Sequence, residues 1–214
     1  MFNRFKEELQ AVYQKDPSAK NAWEIIFCYG GFQALWLYRL AHLLHGWKIP
    51  FLPRLISHLT RVFSGVEIHP AAQIGRRVFI DHGQGVVIGE TSVIGDDVVI
   101  YQQVTLGGTG KTHGKRHPTI GNHVILGAGA KILGNITIGE EVRIGAGSVV
   151  VTDVPPRCTV VGVPGRVVRQ QTVTPEGELQ HNIIPDPVKA ELERLSKETA
   201  RLAKEVEHLK NSSR

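Results

Sequence analysis

Hydrophobic and polar positions change period twice along this chain. Up to Ser64 they recur at helical spacing. Phe32, Leu35, Trp36, Arg39, Leu40, Leu43 and Leu44 line one face of a predicted helix, which Gly46 and Pro50 end. A further helix is predicted from Pro53 to about Phe63. Lys15-Asp16-Pro17-Ser18-Ala19 predicts a helix start, with Asp16 as N-cap and Pro17 at the first helical position. The aromatic stripe of this region reads as core packing.

From Ile68 the period becomes six. The first positions of successive hexads are Ile68, Ile74, Ile80, Val86, Ser92, Val98 and Val104, then, after an interruption, Ile120, Leu126, Ile132, Ile138, Ile144 and Val150. Twelve of these thirteen positions are aliphatic. Each hexad reads as one short strand plus a corner, with its first residue pointing inward. Three hexads close one triangular coil on this reading, and stacked coils pair as parallel strands around an aliphatic interior. From Val188 the pattern changes again. Val188, Leu192, Leu195, Thr199, Leu202, Val206 and Leu209 alternate in steps of four and three, a heptad seam. That seam fits a parallel coiled coil or a single amphipathic helix.

Composition sharpens these divisions. Of 14 aromatic residues, 12 precede residue 65, and 19 of 23 glycines lie between Gly65 and Gly165. Helix formers therefore give way to Ile, Val and Gly, which suit short strands and tight corners. The expected domains are a helical segment 1–64, a repeat domain 65–168 with an excursion loop 110–119, a linker 169–187 and a helix 188–214. Two cysteines, Cys28 and Cys158, form neither a CxxC nor a disulfide framework, which points to a reducing, cytoplasmic setting. The opening run Met1 to Glu8 includes acids where a signal peptide needs an apolar core, and Gln33, Arg39 and His42 interrupt the most apolar run, so no membrane segment is expected. A net charge of +5 without a dense basic stripe argues against a nucleic-acid partner.

Candidate chemistry sits where the repeat is broken. Gly107 to Pro118 carries two lysines, one arginine and two histidines outside the repeat, and ejected loops of this kind are often functional. Asp81-His82-Gly83 falls at a corner. A histidine there projects from the prism, its pKa near neutrality suits a general base acting on an alcohol, and a neighbouring carboxylate stabilises the imidazolium.

The hexad pattern resembles the hexapeptide-repeat acyltransferases, whose prism is a left-handed parallel β-helix. More specifically, Asp16-Pro17, Ile68-His69-Pro70-Ala71-Ala72, Asp81-His82, Gly89-Glu90-Thr91, the run Val104 to Lys111, Arg116-His117-Pro118 and the run Gly127 to Ile136 resemble serine O-acetyltransferase over roughly residues 10–168. The resemblance implies a mainly β fold with α: a small helical domain, a left-handed parallel β-helix and a C-terminal helix, the last a candidate trimeric coiled coil. It implies acetyl transfer from acetyl-CoA to the L-serine hydroxyl in cysteine biosynthesis. No permanent cofactor or metal is needed, because the thioester is already activated.

Carried over by residue, His82 is the general base, Asp81 and Asp16 hold the serine ammonium, Arg116 pairs with its carboxylate and His117 helps bind serine. Acetyl-CoA lies between neighbouring prisms against Gly108, Thr109, Ala128 and Ala146, with Lys111, Lys115 and Arg143 as candidate phosphate partners. The family's usual aspartate before IHPAA is Glu67 here, a catalytic partner for His82 with one extra methylene. The resemblance further implies a homotrimer with sites shared between subunits, and L-cysteine as an inhibitor at the serine site. The ending Asn211-Ser212-Ser213-Arg214 lacks the isoleucine by which relatives dock cysteine synthase, so that complex is not expected by the usual route. Two other readings remain: a sister acetyltransferase acting on a sugar or antibiotic, and a γ-type carbonic anhydrase using His82, His117 and His123 on zinc.

Overall fold

A computed structural model describes residues 2–110, 113–170 and 187–212. Lys111, most of the expected linker and the last two residues therefore lie outside the described residues. The chain divides into two compact units, Met1–His181 and Asn182–Arg214.

Four helices open the first unit: α1 (Phe2–Lys15), α2 (Ala22–Cys28), α3 (Gly30–Gly46) and α4 (Leu52–Ser64). The expected helix start at Asp16 is instead a helix end. The Asp16 amide donates to Val12 O, and the Asp16 carboxylate accepts the Ser18 amide, closing a tight turn behind α1. The next helix begins later, at an Asn21 cap whose side chain accepts the Glu24 amide. The buried face of α3 is Phe32, Ala34, Leu35, Tyr38 and Ala41, while Leu40 and Leu43 of the expected face are exposed.

Thirteen short strands then wind in coils: β1 (Glu67–Ile68), β2 (Gln73–Ile74), β3 (Phe79–Ile80), β4 (Val87–Ile88), β5 (Val93–Ile94), β6 (Val99–Ile100), β7 (Thr105–Gly107), β8 (Thr119–Ile120), β9 (Ile125–Leu126), β10 (Lys131–Leu133), β11 (Thr137–Ile138), β12 (Arg143–Ile144) and β13 (Val149–Val150). They form three parallel faces. The first orders β1-β4-β7-β10-β13, the second β2-β5-β8-β11 and the third β3-β6-β9-β12. β14 (Cys158–Val161) extends the third face, and β15 (Arg166–Gln170) closes it antiparallel, running just past the expected end of the repeat. In the second unit, α5 (Pro187–Ser212) is a single helix with Leu192, Leu195 and Leu202 exposed.

All thirteen first-position residues are buried, Ser92 among them. The strand register corrects the frame, however. Ile88 pairs with Leu106, a step of three hexads, but Ile68 pairs with Ile88, a step longer by two. The first coil therefore holds an insertion, at the Asp81–Gly85 corner. Leu106 pairs with Ile132, so the excursion makes its own coil the longest of the four that the first face records. After the first corner, Ile88, Ile94, Ile100 and Leu106 occupy the strand positions, while Val86, Ser92, Val98 and Val104 fill a second inward row.

The helices seal and flank the prism. On α3, Ala34, Leu35 and Tyr38 join the core cluster at its N-terminal end. Gly31 is required there, because a Cβ would sit 2.0 Å from Ile80 O. Val12, Ile25 and Phe32 cover the outer side of the third face against Phe79, Val99 and Ile125. This packing carries the C-terminal end of α1, and with it Asp16, to the corner that follows the third face.

Candidate active site

The corner between the third and first faces displays His82. Its backbone is left-handed, with φ 59, and Gly83 follows at φ 73. The Gly83 amide donates to Asp81 O at 2.6 Å. A non-glycine residue in this region carries strain, and such positions cluster at active sites. The insertion in the first coil pushes the histidine outward, where 71% of its side chain is exposed. Nε2 stands 3.8 Å from Asp81 Oδ1.

Asp16 reaches the same corner from α1. Its Oδ2 accepts the Tyr29 hydroxyl at 2.7 Å and its Oδ1 the Ser18 amide at 2.8 Å. Burial works to raise the Asp16 pKa. Hydrogen bonds from Ser18 and Tyr29, with His82 beside it, outweigh burial and hold the carboxyl below its ordinary value. The neighbouring Tyr101 hydroxyl is pushed up by burial and by the charges of Asp81 and Asp16. Residues 16, 29, 81, 82 and 101 thus form one half-site: two carboxylates beside an exposed imidazole.

A second half-site stands at the opposite edge of the first face. Gly89-Glu90-Thr91 turns the corner in one coil and the excursion loop in the next. Arg116 pairs through Nη2 with Glu90 Oε2. That hydrogen bond is the main reason the Glu90 pKa lies below the usual carboxylate range. Thr91 Oγ1 accepts the amides of Arg116 and His117 at 3.0 and 3.1 Å. His117 Nδ1 lies 2.9 Å from Thr91 Oγ1 and accepts the Thr91 amide at 3.2 Å. Lys115 Nζ donates to Thr91 O and Pro118 O. His117 is buried, and burial, followed by the Arg116 charge, lowers its pKa. One coil earlier, burial holds His69 down to about 4, with Arg54 and His45 adding to the effect.

The structure brings Asp16, Asp81 and His82 together, and separately Arg116 and His117. Within one chain the two sets are held apart by the width of the first face. That width is one hexad of extended chain, at most roughly 20 Å. The coenzyme set divides the same way. Ala128 and Ala146 stack on the His82 corner, where the Gly147 amide donates to Ala128 O, and Arg143 lies just before Ala146 on β12. Gly108 and Thr109 belong to the opposite edge, where the Thr109 amide donates to Arg116 O.

Glu67 departs from expectation. The sequence puts it beside His82, but its carboxylate pairs with Arg61 of α4 at 3.3 Å. Together with Arg54, Ser57 and His58 these two residues line a cavity of about 150 Å³. Glu67 aligns with Val87, so His82 falls five positions short of alignment and not three. His82, His117 and His123 occupy three different corners, the last beside Asn122 on the second-to-third edge. Four residues of the half-sites had no role assigned from sequence: Tyr29, Tyr101, Glu90 and Thr91. Thr91 stood inside the Gly89-Glu90-Thr91 motif, but its function depends on which loop stacks above it.

Residues 117–152 match the model of the bacterial transferase hexapeptide (six repeats) family. A serine acetyltransferase of Synechococcus elongatus is 56% identical over 87% of this chain and 76% of its own. The serine acetyltransferase of Bacillus subtilis is 51% identical over 98% of this chain and 96% of its own. Among solved structures, Neisseria gonorrhoeae serine acetyltransferase in complex with serine is 42% identical, with TM-score 0.75 over 78% of this chain and 68% of that one. The Brucella abortus enzyme in complex with coenzyme A is 42% identical, with TM-score 0.77 over 80% and 69%. A serine acetyltransferase in complex with cysteine is 45% identical, with TM-score 0.76 over 79% and 66%. With relatives this similar over nearly its whole length, the chain belongs to the serine acetyltransferase family.

Proposed function

We propose that this chain transfers the acetyl group of acetyl-CoA to the hydroxyl of L-serine, giving O-acetyl-L-serine and CoA. His82 takes the hydroxyl proton as the serine oxygen attacks the thioester carbonyl. Backbone donors stabilise the tetrahedral oxyanion. The carbon–sulfur bond then breaks, and the imidazolium returns its proton to the departing thiolate. Asp16 and Asp81 hold the serine ammonium beside the base, and Arg116 and His117 hold the carboxylate. The observation that carries this reading is the meeting of Asp16, Asp81 and His82 at one corner, the first delivered by the end of α1 and the other two by the repeat.

The opposed half-sites support a homotrimer wound from left-handed prisms. Each site would take its His82 edge from one subunit and its Arg116 edge from the next. Acetyl-CoA would lie in the groove between them, touching Ala128, Ala146 and Arg143 on one side and Gly108 and Thr109 on the other. The exposed leucines of α5 support a parallel coiled coil along the trimer axis. Glu67 is assigned to the imidazolium stage. Residues 65–67 lie directly under 85–87, at the His82 corner. The partly exposed Arg61–Glu67 pair holds the carboxylate by only about 0–1 kcal/mol, so turning toward His82 costs little. L-cysteine, which exchanges only oxygen for sulfur, would occupy the serine site and inhibit competitively.

The test is serine-dependent release of CoA thiol, run beside sugar hydroxyl acceptors and with metal analysis of the purified protein. Turnover with serine alone, unaffected by chelators, is the expected result. Turnover on a sugar but not on serine, or zinc-dependent bicarbonate chemistry, would overturn the assignment.

A further inference from the structure

Thr91 has a hydroxyl with one proton and two lone pairs. Both lone pairs are taken by the amides of Arg116 and His117, at 3.0 and 3.1 Å. Among the described residues, the one hydroxyl proton then has a single acceptor within reach, His117 Nδ1, at 2.9 Å. The Thr91 amide, which can only donate, points at the same nitrogen from 3.2 Å. Two donors converging on Nδ1 leave no room for a proton there, so the proton of the neutral ring sits on Nε2. Nε2 has no hydrogen-bond partner among the described residues. It lies between two corner glycines, since a Cβ on Gly89 would come within 2.1 Å of it and one on Gly108 within 3.0 Å. The ring is therefore fixed from behind, with an N–H donor facing the glycine-lined edge.

We propose that Thr91 is the positioning residue that locks His117 as a neutral, Nε2-protonated ring, so that His117 meets bound substrate as a hydrogen-bond donor to an acceptor oxygen and never as a second base. This rests on the acetyltransferase reading for the identity of the substrate. The ionisable groups around the ring favour the same state. Arg116 and Lys115 disfavour a charged imidazole, Glu90 favours it, and His69 is itself held neutral. Protonating Nδ1 would also turn two donors against a third. Of the two histidines the proposed site brings together, His82 is the exposed base, while His117 keeps its proton.

The experiment is ¹⁵N NMR of histidine-labelled full-length protein, with the ring assigned by His117→Gln, combined with steady-state kinetics of Thr91→Ser and Thr91→Val. Wild type and Thr91→Ser should show an unprotonated Nδ1 and a protonated Nε2 at pH 8 and pH 7, and should keep them to lower pH than an ordinary imidazole. Thr91→Val removes the hydroxyl at nearly constant shape. It should mix the tautomers and lower kcat/KM for serine about 10- to 100-fold, with KM for acetyl-CoA little changed. Thr91→Ser should restore both. An Nδ1-protonated or charged ring in wild type at pH 7 would overturn the proposal. So would a Thr91→Val protein with wild-type serine kinetics, whatever its tautomer. If Thr91→Val does not fold, the wild-type and Thr91→Ser spectra decide the matter. Absence of serine turnover in wild type would sink the functional reading instead, and the ring spectrum would still decide the tautomer.

Discussion

Arg116 offers a planar fork to a carboxylate, and Glu90 already engages one of its nitrogens. Replacing the fork by a point charge keeps the sign and loses the geometry. Arg116→Lys is therefore expected to raise KM for serine by about tenfold or more, with a smaller change in kcat and none in KM for acetyl-CoA. Initial rates across a serine titration check this, and an unchanged serine KM would remove Arg116 from the carboxylate site. Glu67 gives a second prediction at this scale. Glu67→Gln should lower kcat by less than loss of His82 does, because its role is charge stabilisation and not proton removal. Glu67→Asp should remain active. A Glu67→Gln enzyme with wild-type kcat across the pH range would leave the carboxylate to Arg61 alone. The sequence singled out Asp16, Asp81, His82, Arg116 and His117, and the fold gathers them into two sets. Their partners were not legible in the sequence. Tyr29 meets Asp16 across 13 positions that include all of α2, and Thr91 meets His117 across 26 positions, contacts that no local spacing encodes.

The short strands gain their stability from the inward rows. Leu106 is fully buried where β4, β7 and β10 stack. Full burial of such a side chain stabilises by about 1.5–3 kcal/mol, and truncation adds a cavity term. Leu106→Ala should therefore cost about 2–5 kcal/mol in denaturant unfolding, with far-UV signal retained in the native state. A midpoint within error of wild type would contradict the stacked interior. At this scale the period of six was legible, because every coil repeats the same inward choice. The phase slip at Asp81–Gly85 was hidden. Val86 continues the old frame by chemistry while Ile88 takes the strand position, and both are buried. Asp16-Pro17 misled for a similar reason. The Asp side chain satisfies a turn amide as readily as a helix N-terminus, and only the packing of α1 on the third face decides which.

On the proposed reading a single prism presents two incomplete sites, and a head-to-tail ring of three copies would join them. The proposed coiled coil of α5 would add to the same assembly. Deleting residues 188–214 should leave the prism folded and shift trimer dissociation to higher protein concentration, as followed by light scattering. Unchanged dissociation would separate α5 from assembly. The shared site itself is tested most directly by complementation. His82→Ala and Arg116→Ala chains, each nearly inactive alone, are co-expressed and purified as mixed trimers. Each mixed trimer then holds one interface with both halves intact, so serine-dependent thiol release should return to about one third of the wild-type rate. No recovery in verified mixed trimers, or wild-type turnover by His82→Ala alone, would contradict the account.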